Sequence, residues 1–109
     1  NRYIMQYISV NDLKSNMDNS DNVKILDVRE RYEFNICKID TLNIPMAEIG
    51  NRIDEIPRDR DVAVLCKSGK RASAVANLLA TEYGFKSLSV VKGGIEEWIA
   101  KIDNKLEMY

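Results

Sequence analysis

The chain has 109 residues, of which 45% are hydrophobic and 30% charged, and its formal net charge is −1. This is the composition of one globular domain. It excludes a disordered chain, a membrane span of about 18 apolar residues and a strongly basic nucleic-acid binder. Histidine is absent, which also excludes mechanisms built on a Cys–His or Ser–His pair or on a histidine-bound metal. With two cysteines and no histidine, neither a metal nor another cofactor is expected.

Short apolar runs alternate with amphipathic stretches along the chain. In order, they predict an edge strand, a helix capped by Ser9 or Asn11 that runs to about residue 17, and a polar loop. A strand, a short charged helix, a short strand and a helix follow, then a buried strand, a long helix, a fifth strand and a closing helix. The strands are expected over 3–8, 23–28, 41–44, 61–66 and 87–91. The later helices are expected over 29–36, 46–56, 71–83 and 95–102, and the polar loop over 18–22. Such alternation is typical of an α/β domain with a mostly parallel sheet.

Cys66 ends the apolar run 61–66 and comes just before the helix that begins near Arg71. Open parallel sheets bind ligands beyond the carboxyl ends of their strands, and helix N-termini and loop amides favour anions. Lys67, Lys70 and Arg71 add positive charge around the thiol. The pattern indicates a thiolate nucleophile that is activated without histidine. The alternative is a small core hydrophobe at the end of a strand.

Four segments carry a resemblance to a known family. They are 25–30 (Ile-Leu-Asp-Val-Arg-Glu), 43–45 (Asn-Ile-Pro), 64–71 (Val-Leu-Cys-Lys-Ser-Gly-Lys-Arg) and 91–98 (Val-Lys-Gly-Gly-Ile-Glu-Glu-Trp). Through them the chain resembles a single rhodanese-like sulfurtransferase domain over essentially its whole length. The resemblance implies a five-stranded, mostly parallel sheet with helices on both faces. It also implies that Cys66 is catalytic and accepts sulfane sulfur as a persulfide. The persulfide-binding loop whose backbone amides cradle that sulfur is then Lys67, Ser68, Gly69, Lys70 and Arg71.

Two further segments, 32–39 and 98–109, are similar to rhodanese domains fused to MoeB/ThiF-type adenylyltransferases. Since the sequence opens on Asn1, we expect residues 1–109 to be one domain excised from the C-terminus of a longer chain. The implied partners are a sulfur donor (thiosulfate or a cysteine desulfurase persulfide), an adenylyltransferase domain and a ubiquitin-like sulfur carrier. The carrier's adenylated C-terminus becomes a thiocarboxylate for molybdopterin, thiamine or tRNA thiolation. Nucleic acid and membrane are not expected as partners, and the reducing cytoplasm is the expected location.

The other marked residues are expected to serve the fold. Arg29 and Glu33 are predicted to form a structural ion pair, and Asp27 to support a loop or a helix end. Cys37 lies between isoleucines and is predicted to be a packed thiol rather than a resolving cysteine. Trp98 is predicted to lie in the core and Gly93-Gly94 to form a turn.

Two alternatives to sulfur transfer come from other functional classes. Cysteine-dependent phosphatases of related fold need Cys-x5-Arg, but here Arg71 is the fifth residue after Cys66 and Ala72 the sixth. The loop is therefore one residue too short to wrap a phosphate. A non-catalytic interaction module is the second alternative, and the presence of Cys66 argues against it.

Overall fold

The computed structural model describes residues 3–19 and 22–109, in which strands and helices alternate. The strands are β1 (Tyr7–Ile8), β2 (Lys24–Asp27), β3 (Leu42–Asn43), β4 (Val62–Leu65) and β5 (Leu88–Val91). The α-helices are α1 (Val10–Asp18), α2 (Arg31–Ile36), α3 (Lys70–Tyr83) and α4 (Gly94–Lys101). Two 3₁₀ helices, Met46–Glu48 and Gly50–Glu55, connect β3 to β4. Within the described ranges, no helix combines the length and the apolar character that crossing a membrane requires.

The five strands form one sheet in the order β1-β5-β4-β2-β3, and every neighbouring pair is parallel. β4 lies at the centre, where Val64 is paired with Leu26 on one side and with Val90 on the other. All of β4 is buried, as a strand covered on both faces should be. The predicted five-stranded sheet is confirmed.

An apolar core lies on each face of the sheet. Side chains alternate along β4, so Val62 and Val64 pack in the core beneath α3, while Ala63 and Leu65 pack in the core beneath α1 and α4. Trp98 is 4% exposed and belongs to the second core, as predicted. Helices therefore cover both faces, which confirms the predicted fold class.

Local signals placed most element boundaries to within a few residues. The side chain of Ser9 accepts a hydrogen bond from the Asp12 amide at 3.0 Å, so Ser9 rather than Asn11 caps α1. Gly84 ends α3 in the left-handed region, at φ 71°, as predicted. The predicted strand 3–8 is too long, because only Tyr7–Ile8 pairs with β5. Of the predicted loop 18–22, the first residue belongs to α1 and residues 20–21 lie outside the described residues.

The predicted helix over 46–56 is wrong in type. The segment forms two 3₁₀ helices, and Arg52 within the second has non-helical angles of φ −124° and ψ 22°. Of the four apolar residues that set the helical spacing, Ile49 and Ile56 are buried, Ile53 is half-buried and Met46 is exposed, so the pattern identified part of the buried face. Apolar residues spaced by three fit the three-residue turn of a 3₁₀ helix as well as they fit an α-helix.

Candidate active site

Cys66 directly follows the central strand β4, at the carboxyl edge of the sheet. It is 1% exposed and belongs to the core beneath α3. Parallel sheets place their ligand sites at this edge. The thiol is thus held at the expected position for a reactive group while bulk water is kept away from it.

Two backbone amides point at the sulfur of Cys66. The N–H of Gly69 donates to Sγ at 3.0 Å and the N–H of Ala72 donates to it at 3.3 Å. Both amides belong to the N-terminal end of α3, whose first amides have no partner within the helix. An anionic sulfur at this point satisfies both donors and lies at the positive end of the helix dipole.

The turn that aims these amides depends on Gly69, which caps α3 at φ 117°. Residues other than glycine are strained in that backbone conformation, because they carry a Cβ. The hydroxyl of Ser73 donates to the Gly69 carbonyl oxygen at 2.8 Å and holds the turn in place. Of the predicted loop residues, Gly69 points its amide at the sulfur. The sequence prediction did not include the Ala72 amide, because Ala72 lies inside the helix. Ala72 is the third residue after the N-cap Gly69, and the amide at that position of a helix has no partner within the helix, which was the available signal.

The start of α4 supports Cys66 from the other side. The amide of Ile95 donates to the Cys66 carbonyl oxygen at 2.9 Å, and that of Glu96 donates to the Lys67 carbonyl oxygen at 3.2 Å. A Cβ on Gly94 would lie 2.5 Å from the Cys66 carbonyl oxygen. Gly93 lies in the predicted turn, whereas Gly94 is the first residue of α4. Gly94 also allows the loop and α4 to approach closely, which local spacing did not reveal.

The predicted loop residues diverge once the chain enters α3. Ser68, Gly69 and Lys70 line an open groove of about 270 Å³, together with Tyr7, Ser73, Val90, Val91, Lys92 and Gly93. Arg71 turns instead toward α2. Its guanidinium donates to both carboxylate oxygens of Glu33, at 2.6 and 2.9 Å.

The Arg71–Glu33 pair is held in its charged form. Hydrogen bonds from Arg71 lower the pKa of Glu33 to about 2, against the opposing effect of burial. Those bonds likewise hold the pKa of Arg71 above its ordinary value, and the nearby Cys66 contributes electrostatically. The positive charge beside the thiol is therefore fixed in place and partly neutralised.

The predicted Arg29–Glu33 ion pair is wrong. The side chain of Arg29 is fully buried and forms its salt bridge with Asp27 at 2.7 Å; it meets Glu33 only through that residue's backbone carbonyl oxygen, at 3.4 Å. Burial is the largest single effect and acts to lower the pKa of Arg29, but hydrogen bonds to Asp27, Tyr109 and Cys37, together with the charge of Asp27, outweigh it and keep the guanidinium charged. Arg29 prefers Asp27 because β2 ends there and the two side chains fold back on each other, while Glu33 is drawn to Arg71 across the site.

Cys37 is a packed thiol, as predicted. It is 4% exposed and lies in the core beneath α1 and α4. Its sulfur accepts a hydrogen bond from Arg29 Nη1 at 3.6 Å, and its carbonyl oxygen accepts one from Arg29 Nη2 at 2.7 Å. Both cysteines are free.

Tyr109 joins the two ion pairs, which the sequence did not predict. Its hydroxyl accepts a hydrogen bond from Arg29 Nη1 at 3.0 Å and donates one to Glu33 Oε2 at 2.8 Å. Its ring lies under Lys67, whose Nζ is 4.5 Å from the ring centroid. Nothing in the local pattern of residues 102–109 marks this contact, because its partners are far away in the sequence.

Comparisons with known proteins agree with this geometry. Residues 9–101 match the family model described as a rhodanese-like domain. A sulfurtransferase of Allochromatium vinosum is 36% identical, and the match covers 79% of this chain and 80% of that one. The adenylyltransferase and sulfurtransferase UBA4 of Candida glabrata is 28% identical over 81% of this chain and 23% of that protein.

A longer relative and a solved structure match the chain as well. The chain spans about half (52%) of the Bacillus subtilis protein YrkF, with which it shares 30% identity over 88% of its own length. The crystal structure of a rhodanese-related protein from Thermoplasma volcanium superposes with a TM-score of 0.79 at 32% identity, covering 89% of this chain and 93% of that one. With Cys66 at the edge of a parallel sheet and amides around its sulfur, the chain belongs to the rhodanese-like domain family.

Proposed function

We propose that Cys66 accepts sulfane sulfur as a persulfide and passes it to a nucleophilic acceptor. One observation carries the proposal: the Gly69 and Ala72 amides both donate to Cys66 Sγ. Donors that already point at the sulfur stabilise negative charge there without reorganising during the reaction. Relatives named sulfurtransferases support the same class of reaction.

The loading step is a displacement at sulfur. The Cys66 thiolate attacks the outer sulfur of thiosulfate, a new S–S bond forms, and the bond to the sulfonate sulfur breaks. Sulfite leaves with the electron pair, and the negative charge moves to the outer sulfur of the persulfide. A protein persulfide, such as that of a cysteine desulfurase, loads Cys66 in the same way and leaves as a thiolate.

Transfer regenerates the thiolate. A nucleophile such as cyanide takes the outer sulfur, the S–S bond breaks, and thiocyanate leaves. Since burial excludes water from the sulfur, the persulfide survives between the two steps. Both cysteines are free thiols, which fits the reducing cytoplasm that we propose as the location.

We propose the adenylated C-terminus of a ubiquitin-like sulfur carrier as the natural acceptor, with an adenylyltransferase domain as the partner that activates it. The outer persulfide sulfur attacks the acyl carbon, a C–S bond forms and AMP leaves, giving an acyl disulfide. A second thiolate, from a partner or a free thiol, then attacks Cys66 Sγ, so that the S–S bond breaks, the thiocarboxylate leaves and a disulfide forms between Cys66 and that thiol. A further external thiol reduces this disulfide and regenerates the Cys66 thiolate. Support comes from UBA4, whose name joins adenylyltransferase and sulfurtransferase.

Phosphatase chemistry is disfavoured by the position of Arg71. Its guanidinium binds Glu33 through two hydrogen bonds, so it does not face a phosphate above Cys66. A non-catalytic module does not account for two amides that point at a thiol.

The experiment is thiosulfate loading of the wild type, Cys66→Ser and Cys37→Ser, followed by intact mass measurement and a cyanide-dependent thiocyanate assay. Serine is nearly isosteric with cysteine, so the fold should remain. We expect the mass of one sulfur on the wild type and on Cys37→Ser, and neither loading nor thiocyanate with Cys66→Ser. Undiminished thiocyanate production by Cys66→Ser would overturn the assignment.

A further inference from the structure

Tyr109 is held against the site by the segment that follows α4. The amide of Leu106 donates to the Asp103 carbonyl oxygen at 3.4 Å, which turns the chain back toward the sheet. Leu106 and Tyr109 then pack against the core beneath α1 and α4. This packing brings the phenol to the polar groups beside Cys66.

The hydroxyl of Tyr109 makes two directional bonds of opposite sense, accepting from Arg29 and donating to Glu33. A phenol can do both at once, whereas a carboxylate only accepts and an ammonium only donates. Burial raises the pKa of Tyr109 to about 12, so the hydroxyl keeps its proton at neutral pH. Glu33 Oε2 therefore accepts hydrogen bonds from both Tyr109 and Arg71.

The ring of Tyr109 makes a separate contact with Lys67, the residue after Cys66. An ammonium 4.5 Å from a ring centroid is within the range of a cation–π interaction. Tyr109 thus touches both ends of the 66–71 loop. It meets Lys67 directly and Arg71 through Glu33.

We propose that Tyr109 is a positioning residue: its hydroxyl sets Glu33 against Arg71 and its ring holds Lys67, so that both cations keep fixed places beside the Cys66 sulfur. The contribution of this arrangement to turnover rests on the proposed sulfur transfer. The positions of the two cations do not depend on that proposed function.

The test compares how fast Cys66 reacts with iodoacetate, an anion, and with iodoacetamide, which is neutral. The rate with iodoacetate divided by the rate with iodoacetamide reports the positive charge near the sulfur. Both rates depend in the same way on the fraction of Cys66 present as thiolate and on access to its sulfur, so these two factors cancel in the ratio. The variants are Tyr109→Phe, which keeps the ring, and Tyr109→Leu, which loses ring and hydroxyl. Tyr32→Phe is the matched control, since Tyr32 is 67% exposed. Modified peptides are identified by mass, which separates Cys66 from Cys37.

We expect the rate ratio to fall about twofold in Tyr109→Phe and about fivefold in Tyr109→Leu, and to stay at the wild-type value in Tyr32→Phe. The KM for thiosulfate should rise by similar factors, with a smaller change in kcat. Both rates are measured at a temperature where circular dichroism shows the variants folded. If Tyr109→Leu does not fold, Tyr109→Phe alone decides.

An unchanged ratio in a folded Tyr109 variant would overturn the proposal, even if the variant has a lower Tm, because a merely structural residue lowers stability without moving local charge. A lower ratio in a protein whose wild type takes no sulfur from thiosulfate would support the positioning and contradict the proposed function. The two proposals can therefore fail separately.

Discussion

Cys66 keeps its position because a residue without a side chain lies beneath it. Gly94 has φ 62°, and any Cβ there would meet the carbonyl oxygens of Cys66 and Lys67. Those two carbonyl groups are also the ones that accept hydrogen bonds from the first turn of α4. A side chain at Gly94 would therefore displace the loop that aims amides at the sulfur.

Gly94→Ala should destabilise the fold by roughly 2–4 kcal/mol, since it adds backbone strain to a clash with two carbonyl oxygens. The matched control is Gly84→Ala. Gly84 has φ 71° and open space around the added Cβ, so its cost should be only about 1 kcal/mol. Urea unfolding measures both. If the two variants lost the same free energy of unfolding, the clash of a Cβ at position 94 with the carbonyl oxygens would contribute nothing to the cost.

The loop between β4 and α3 is short. Four residues separate Cys66 from Arg71, and in that length the Gly69 and Ala72 amides converge on one sulfur atom. Arg71 is drawn to α2 rather than toward the centre of the loop. This geometry supports the proposed binding of a single sulfur rather than of a tetrahedral phosphate.

The wild type should form a persulfide with thiosulfate and hydrolyse no aryl phosphate. Inserting one residue after Gly69 should weaken sulfur transfer strongly, because the two amides can no longer both reach Sγ. An insertion after Asp59, in the exposed turn before β4, serves as the control and should leave transfer near the wild-type rate. Aryl phosphate hydrolysis that depends on Cys66, with no uptake of sulfur, would replace the sulfurtransferase assignment with a phosphatase one.

Across the whole molecule, a buried polar network joins parts that are distant in sequence. Asp27 and Arg29 at the end of β2, Glu33 in α2, Arg71 in α3 and Tyr109 near the end of the sequence form one chain of hydrogen bonds. Each charge has a partner, so burial of the network does not leave an isolated charge. The network ties both faces of the sheet to the site.

This network should make stability depend on pH through Glu33. Its pKa is about 2 in the folded protein and 4.5 as its ordinary value, so the stabilisation is fully present above about pH 4.5 and is lost as pH falls through 2. Glu33→Gln should cost on the order of 3 kcal/mol at pH 7, and much less at pH 2. Urea unfolding at several pH values measures the difference between the two proteins.

Glu55→Gln is the control for this pH dependence, because Glu55 is also paired with an arginine but lies at the surface. Its removal should change stability little at any pH, since exposed pairs are screened by solvent. A Glu33→Gln difference that does not shrink at low pH would contradict the assignment of that stabilisation to the carboxylate.

The sequence by itself determined what short-range patterns can carry. A continuous apolar run specified β4, helical spacing and a terminal glycine specified α3, and their junction placed Cys66 at the edge of the sheet with helix amides beside it. The order of these patterns was enough to predict a parallel α/β sheet covered on both faces. Over 46–56 the spacing identified Ile49 and Ile56 as buried but could not decide between two helix types.

Only the tertiary structure decided which charges pair and what lies against the loop. Arg71 binds Glu33 across 38 residues, and Tyr109 reaches Glu33 across 76. Such contacts depend on how α2, α3 and the final segment pack around the sheet, and no local spacing records that packing. Local spacing also could not assign the role of Gly94. A glycine there is equally consistent with a simple turn, and only the folded chain shows the close approach to Cys66.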